Sequence, residues 1–409
     1  MSRLTRTRAS ESPPSVERQR VPRHYLLVAC LILGSLAPSP ALAHVKWFTD
    51  PTAYPLRTDL VFSDRTLLWL ASSALVVIGL AVLQRRFGGA DWPRLPLFQH
   101  MAVGAPTILA VQAAIGLIAA AAHLKLLAPN VSPPDGPAGL ALAGLQVLIA
   151  FSFVTGIADW LGALALIGLV PAAALVASPL DVLGQLQWVG IGVAVLVIGR
   201  GSVACQRARP WFWRRDPLWV SRAVVFLRVS TGLALIAVAL SEKLWNPELG
   251  RAFLVEHPEF NFFRAGLGLD AVTNDVFVLL IGLAEAAIGA ALISGRLTRL
   301  VVLGMWIPFH LGIPLLPHQE FLGHLPIFGI MYVLLVRGSG ASVAAEQRPV
   351  RDDTLVTPLT RVARARRSAP VAGLARHPRR AARQGAPAIH VAAARLPAGR
   401  PGLSSRITP

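Results

Sequence analysis

Two ionisable residues stand in the middle of apolar sequence, where a charge has to be explained. Glu285 lies in VFVLLIGLAEAAIGAALIS (276–294) and His310 in LVVLGMWIPFHLGI (300–313). An ionised side chain at mid-bilayer costs roughly 2.5–3.5 kcal/mol on insertion scales, so such residues face partners or pathways. The turn between the two segments is short, which makes them antiparallel neighbours. Counted from that turn at a rise of about 1.5 Å per residue, Glu285 and His310 differ in height by about 3 Å. A Glu285–His310 hydrogen bond follows. It reads as a proton relay, a quinone head-group site or a metal-ligand pair, or else as a polar pair that only fixes helix packing.

A second group gathers where the apolar segments end. SEKL (241–244) places Glu242 and Lys243 at one rim, and LPHQEFLGHLPIFGI (316–330) adds His318, Glu320 and His324. His123 closes another apolar segment and His257 lies in the long connection 244–273. The stretch ALAHVKWFTD (41–50) brings His44 to the same side. If the chain is cut after Ala43, His44 offers an α-amine and an imidazole together, a chelate suited to copper(II). His318, His324 or His123 would complete that site. The alternative is a cleavage scar, with Lys46-Trp47-Phe48 serving as an anchor at the head groups, where aromatic residues prefer to lie.

These residues have to be positioned by membrane helices. Of 409 residues, 54% are hydrophobic and only 15% charged, with a mean hydropathy of +0.57; soluble domains carry about 25% charged residues. Residues 1–43 read as a signal peptide: an arginine-bearing start, the apolar run 25–37, then Ala41-Leu42-Ala43. A lipoprotein-type box ending at Cys30 and an uncut anchor are the rival readings. Nine apolar segments follow, at 66–84, 101–122, 137–156, 160–177, 183–199, 223–243, 274–294, 299–316 and 322–336. The expected fold is all-α, a polytopic helical membrane protein of about nine transmembrane helices. Its parts are an extracytoplasmic segment (44–65), a five-span bundle (66–199), a basic aromatic cytoplasmic loop (200–222), a four-span bundle (223–336) and an arginine-rich cytoplasmic tail (337–409).

Arginine fixes the orientation. Arg85, Arg86, Arg94, Arg200, Arg207, Arg209, Arg214, Arg215, Arg222 and Arg296 fall in alternate loops and continue into the tail. The opposite loops 123–136, 178–182 and 317–321 hold only Lys125 besides histidine. By the positive-inside rule the mature N-terminus is outside and the C-terminus cytoplasmic, in a bacterial-type inner membrane. Asp159 sits at the cytoplasmic boundary. Arg228, near the same end of its span, is expected to snorkel to the interface.

The net charge of +18 belongs mainly to the ends: residues 337–409 hold fourteen arginines against Glu346, Asp352 and Asp353. That tail lacks apolar periodicity and reads as disordered, held to the anionic leaflet. No aromatic residue follows Tyr332 and no nucleic-acid module is visible, which disfavours a nucleic-acid partner. The two cysteines, Cys30 and Cys205, form no disulfide framework. Haem is disfavoured because His100 and His123 lie at opposite ends of one span and His310 is too deep to pair with either.

Residues 223–336 resemble the DoxX-like family of four-span membrane proteins. Arg228-Val-Ser-Thr-Gly232 and Glu242-Lys243-Leu244 on the first helix carry the likeness. So do Gly282, Glu285, Gly289, Gly295 and Arg299 in GLAEAAIGAALISGRLTRL, and GHLPIFGI at 323–330. The resemblance implies a compact four-helix unit and an accessory role in quinone-linked or respiratory redox systems, beside a redox partner subunit. The five additional spans, the exported HVKWF start and the tail depart from the minimal family pattern. Two other readings stay open: an extracytoplasmic copper- or metal-handling protein, and a structural subunit or small-solute permease.

Overall fold

In a computed structural model, residues 45–200, 216–312 and 318–340 are described, without the side chains of 307–312 and 318–320. His44, the signal region, the 201–215 loop and the tail lie outside the described residues. The described parts of the nine apolar segments are mainly helical, and among the described residues there is no β-strand.

The helices are α1 (Asp64–Phe87), α2 (Pro96–Met101), α3 (Ala105–Ala122), α4 (Pro137–Thr155), α5 (Asp159–Ala172), α6 (Pro179–Leu183) and α7 (Leu186–Ile198). Then come α8 (Pro217–Ala239), α9 (Pro247–Glu256), α10 (Phe262–Ala265), α11 (Asn274–Ser294), α12 (Thr298–Gly312) and α13 (His318–Arg337). Among the described residues, six helical stretches are long and apolar enough to cross a membrane: α1, α3, α4, Pro179–Ile198, Pro217–Leu244 and α11. Such an all-helical chain is compatible with a multi-pass membrane protein whose exposed Leu, Ile and Phe side chains meet lipid.

Local signals explain the boundaries. Asp216, Thr273 and Ser178 cap α8, α11 and α6 by accepting from backbone N–H groups of the first turn. Proline occupies the opening turn of α3, α4, α6, α8 and α9, where its missing N–H costs nothing. Gly88, Gly156 and Gly295 end α1, α4 and α11 in the left-handed conformation.

Packing runs around a ring. α13 lies against α3, α3 against α4, α4 against α5, α5 against α7, α7 against α8 and α8 against α11, while α12 joins α11 to α13. α1 sits outside, against α11. Small residues set the close crossings. A Cβ on Gly232 would lie 2.5 Å from the Gly289 carbonyl oxygen, and one on Gly289 2.6 Å from that of Gly232. The backbones of α8 and α11 therefore meet directly there, the arrangement that small residues permit inside membranes.

At the arginine-rich end the polar groups turn inward. Arg228, only 6% exposed, does not snorkel. Its guanidinium donates to the carbonyls of Leu292 and, at 2.9 Å, Ile293, capping the C-terminus of α11. Arg299 does the same for α13, donating to Leu335 at 2.9 Å and Val336 at 3.0 Å, and it also holds the carbonyls of Asp91 and Pro93. The last turn of a helix leaves four carbonyls unpaired and carries partial negative charge, so a buried guanidinium is well placed in both cases. Asp159, 3% exposed, accepts from the Arg200 N–H at 3.0 Å.

Candidate functional site

The chemistry gathers at the opposite end, where α8 stops being a regular helix. Residues Leu240–Leu244 form a π-helical turn, and all five are buried. Glu242 and Lys243, at the end of this stretch, face inward: they are 2% and 0% exposed. The wider π turn rolls SEKL inward, toward α11 and α9.

Lys243 Nζ lies 2.9 Å from Glu285 Oε2 and 4.0 Å from Glu242 Oε2. One buried ammonium thus stands between two carboxylates, a cluster with formal charge −1 when all three are ionised. Lys243 is a partner for Glu285 that no local pattern in the sequence names. The adjacent signal, a Glu-Lys pair within a helical turn of the span's end, is equally compatible with a surface position. His310 lies on α12, and its side chain is outside the described residues.

A strap covers the π turn. The Val45 N–H donates to Glu242 Oε2 at 2.7 Å, and Val45 itself is fully buried. Lys46 Nζ meets Asp181 Oδ1 at 2.6 Å. Trp47 packs on the His324 ring with centroids 5.3 Å apart and donates from Nε1 to Asn130 at 3.2 Å. Phe48 enters an aromatic cluster with Phe253 and His257. The "KWF" stretch, expected to lie on head groups, is therefore tucked against protein, because each side chain finds a partner there. Farther on, Asn246 donates to the Tyr54 carbonyl and the Arg57 N–H to that of Trp245. The Arg57 guanidinium, hydrogen-bonded to Asp59, holds that carboxyl below its ordinary range.

Beneath the strap is a cavity of about 690 Å³. Its mouth is framed by Lys46–Thr52 and the 128–132 loop, which Gln146, fully buried, holds by accepting from the Leu127 N–H and donating to the Lys125 carbonyl. Its walls come from α3, α8, α11 and α13, mostly alanine, leucine, isoleucine and valine, and it descends to Thr231, Ile288 and Met305. Glu285, with 19% of its side chain exposed, Gln185, Gln187 and His324 supply polar groups. Ligand sites of this kind are concave, chiefly apolar and equipped with few polar groups.

The other expected residues are placed as follows. His123 is exposed and lines the cavity; His324 is 7% exposed beneath Trp47 and lines it too. His257 is half-buried, 3.5 Å from Glu259. The side chains of His318 and Glu320, like His44, lie outside the described residues, and among the described residues no three His, Cys, Asp or Glu side chains assemble a metal site.

Comparison with models of protein families, with curated proteins and with solved structures finds no match to this chain.

Proposed function

We propose that the chain is a nine-span membrane protein of DoxX-like kind, an accessory redox subunit that holds a quinone-type ring in the cavity. The observation that carries this reading is a partly accessible carboxylate, Glu285, backed by the buried ammonium of Lys243, at the wall of a largely apolar chamber. Such a pair can take up or release a proton beside a ring without exposing a bare charge to lipid. Gly232, Gly289 and Arg228, residues of the resemblance, hold the helices that bear the pair.

Counting α5, α12 and α13 as spans beside the six longer stretches gives nine, and the positive-inside rule then puts the strap end outside and the arginine end in the cytoplasm. In a variant without Cys30 and Cys205, a membrane-impermeant maleimide should label Lys125→Cys in intact cells and Arg94→Cys only after lysis. Labelling in the reverse order overturns the orientation.

The functional reading is tested by extracting purified protein and assaying the extract for quinone by its absorbance. Wild type should retain the reduced quinol, or take it up when offered, and Glu285→Gln, a weaker acceptor for the quinol hydroxyl, should retain about tenfold less, the loss expected for one hydrogen bond to a charged group. Wild-type protein that neither carries nor takes up quinone refutes it.

A further inference from the structure

The charges around the cavity are not evenly accessible, and that decides what head group it accepts. Lys243, the cation of the buried cluster, has no exposure, whereas its partner Glu285 shows 19% of its side chain and lines the chamber. Glu242 accepts from the Val45 N–H and lies 4.0 Å from Lys243. At the mouth, Lys46 is neutralised by Asp181, and Lys125 Nζ donates to Ser132 Oγ at 2.8 Å. Deep in the chamber a ligand therefore meets the negative member of an ion pair, not the positive one. A further polar group stands on the wall: Gln185, 3% exposed, whose Oε1 has no hydrogen-bond partner among the described residues.

We infer that the cavity selects an apolar molecule whose head group donates hydrogen bonds, a hydroxyl or an amine, and rejects its anionic counterpart. The reason is desolvation: an anion entering a low-dielectric chamber loses its water and gains only repulsion from Glu285. A hydroxyl or ammonium instead finds an acceptor already made partly negative. The inference rests on the reading of the cavity as a ligand site, but not on the ligand being a quinone.

The test uses probes of one shape and three head groups: phenethyl alcohol, phenethylamine and phenylacetate, titrated into the full-length protein in detergent by calorimetry, with duroquinone, kept in its reduced dihydroxy form, alongside. The alcohol and the amine are expected to bind about tenfold tighter than the carboxylate, and Glu285→Gln should erase the amine's advantage over it. Ala234→Phe, which fills the chamber without touching a charge, should abolish binding of all three.

Phenylacetate binding as tightly as the amine to wild type would overturn the inference, and this comparison needs no variant to fold. Dependence of that binding on Lys125 would place the head group at the mouth instead. Binding of the amine and alcohol without duroquinone sinks the quinone reading alone. Binding of duroquinone with no preference among the three head groups sinks this one alone.

Discussion

Lys243 is the residue on which the candidate site turns. A fully buried ammonium survives only with counter-charges, and here Glu285 and Glu242 supply them. Removing one member of a buried pair strands the other, at a cost of roughly 3–5 kcal/mol. Lys243→Met should therefore destabilise the protein severely, whereas Lys243→Met combined with Glu285→Gln should recover part of the loss. Thermal unfolding in detergent checks both; a single variant as stable as wild type would show the pair to be dispensable. Arg228 is a second case. It reaches two carbonyls that no backbone donor can reach, so Arg228→Met is expected to cost about 1.5–3 kcal/mol in the same assay.

At the scale of elements, the π turn and the strap belong together. The turn redirects Glu242 and Lys243 inward, and the strap closes over them with the Val45 N–H, Lys46, Trp47 and Phe48. A strap held by a few side chains opens locally before the helices unfold. Trp47→Ala should raise the rate of tryptic cleavage after Lys46 while leaving the unfolding temperature of the helices little changed. Unaltered cleavage would mean that Trp47 is not what holds the strap. The α8–α11 crossing behaves in the opposite way. Gly289→Val drives side-chain atoms into the Gly232 backbone, and overpacking of this kind costs about 1–3 kcal/mol. Its effect should appear in the unfolding temperature and not in strap cleavage.

Over the whole molecule, the two groups of helices that the sequence separates at 200–222 are interleaved. α13 packs on α3 and α1 packs on α11, so each group covers a helix of the other, and the cavity takes its walls from both. The sequence alone was enough for the helices, because twenty-residue apolar runs, proline at first turns and glycine or arginine at ends are local signals. It also marked Glu285 as a residue needing a partner, since a carboxylate in an apolar run is costly wherever the run packs. The identity of that partner was not local. Helical periodicity places a residue on a face, but a π turn shifts the face by a fraction of a turn, and that shift takes Lys243 from rim to interior. Likewise, nothing in "KWF" distinguishes a lipid anchor from a protein contact; only the proximity of Asp181, His324 and Phe253, far apart in sequence, selects the second. The cavity too depends on which helices become neighbours around the ring, a matter of tertiary packing that no single segment encodes.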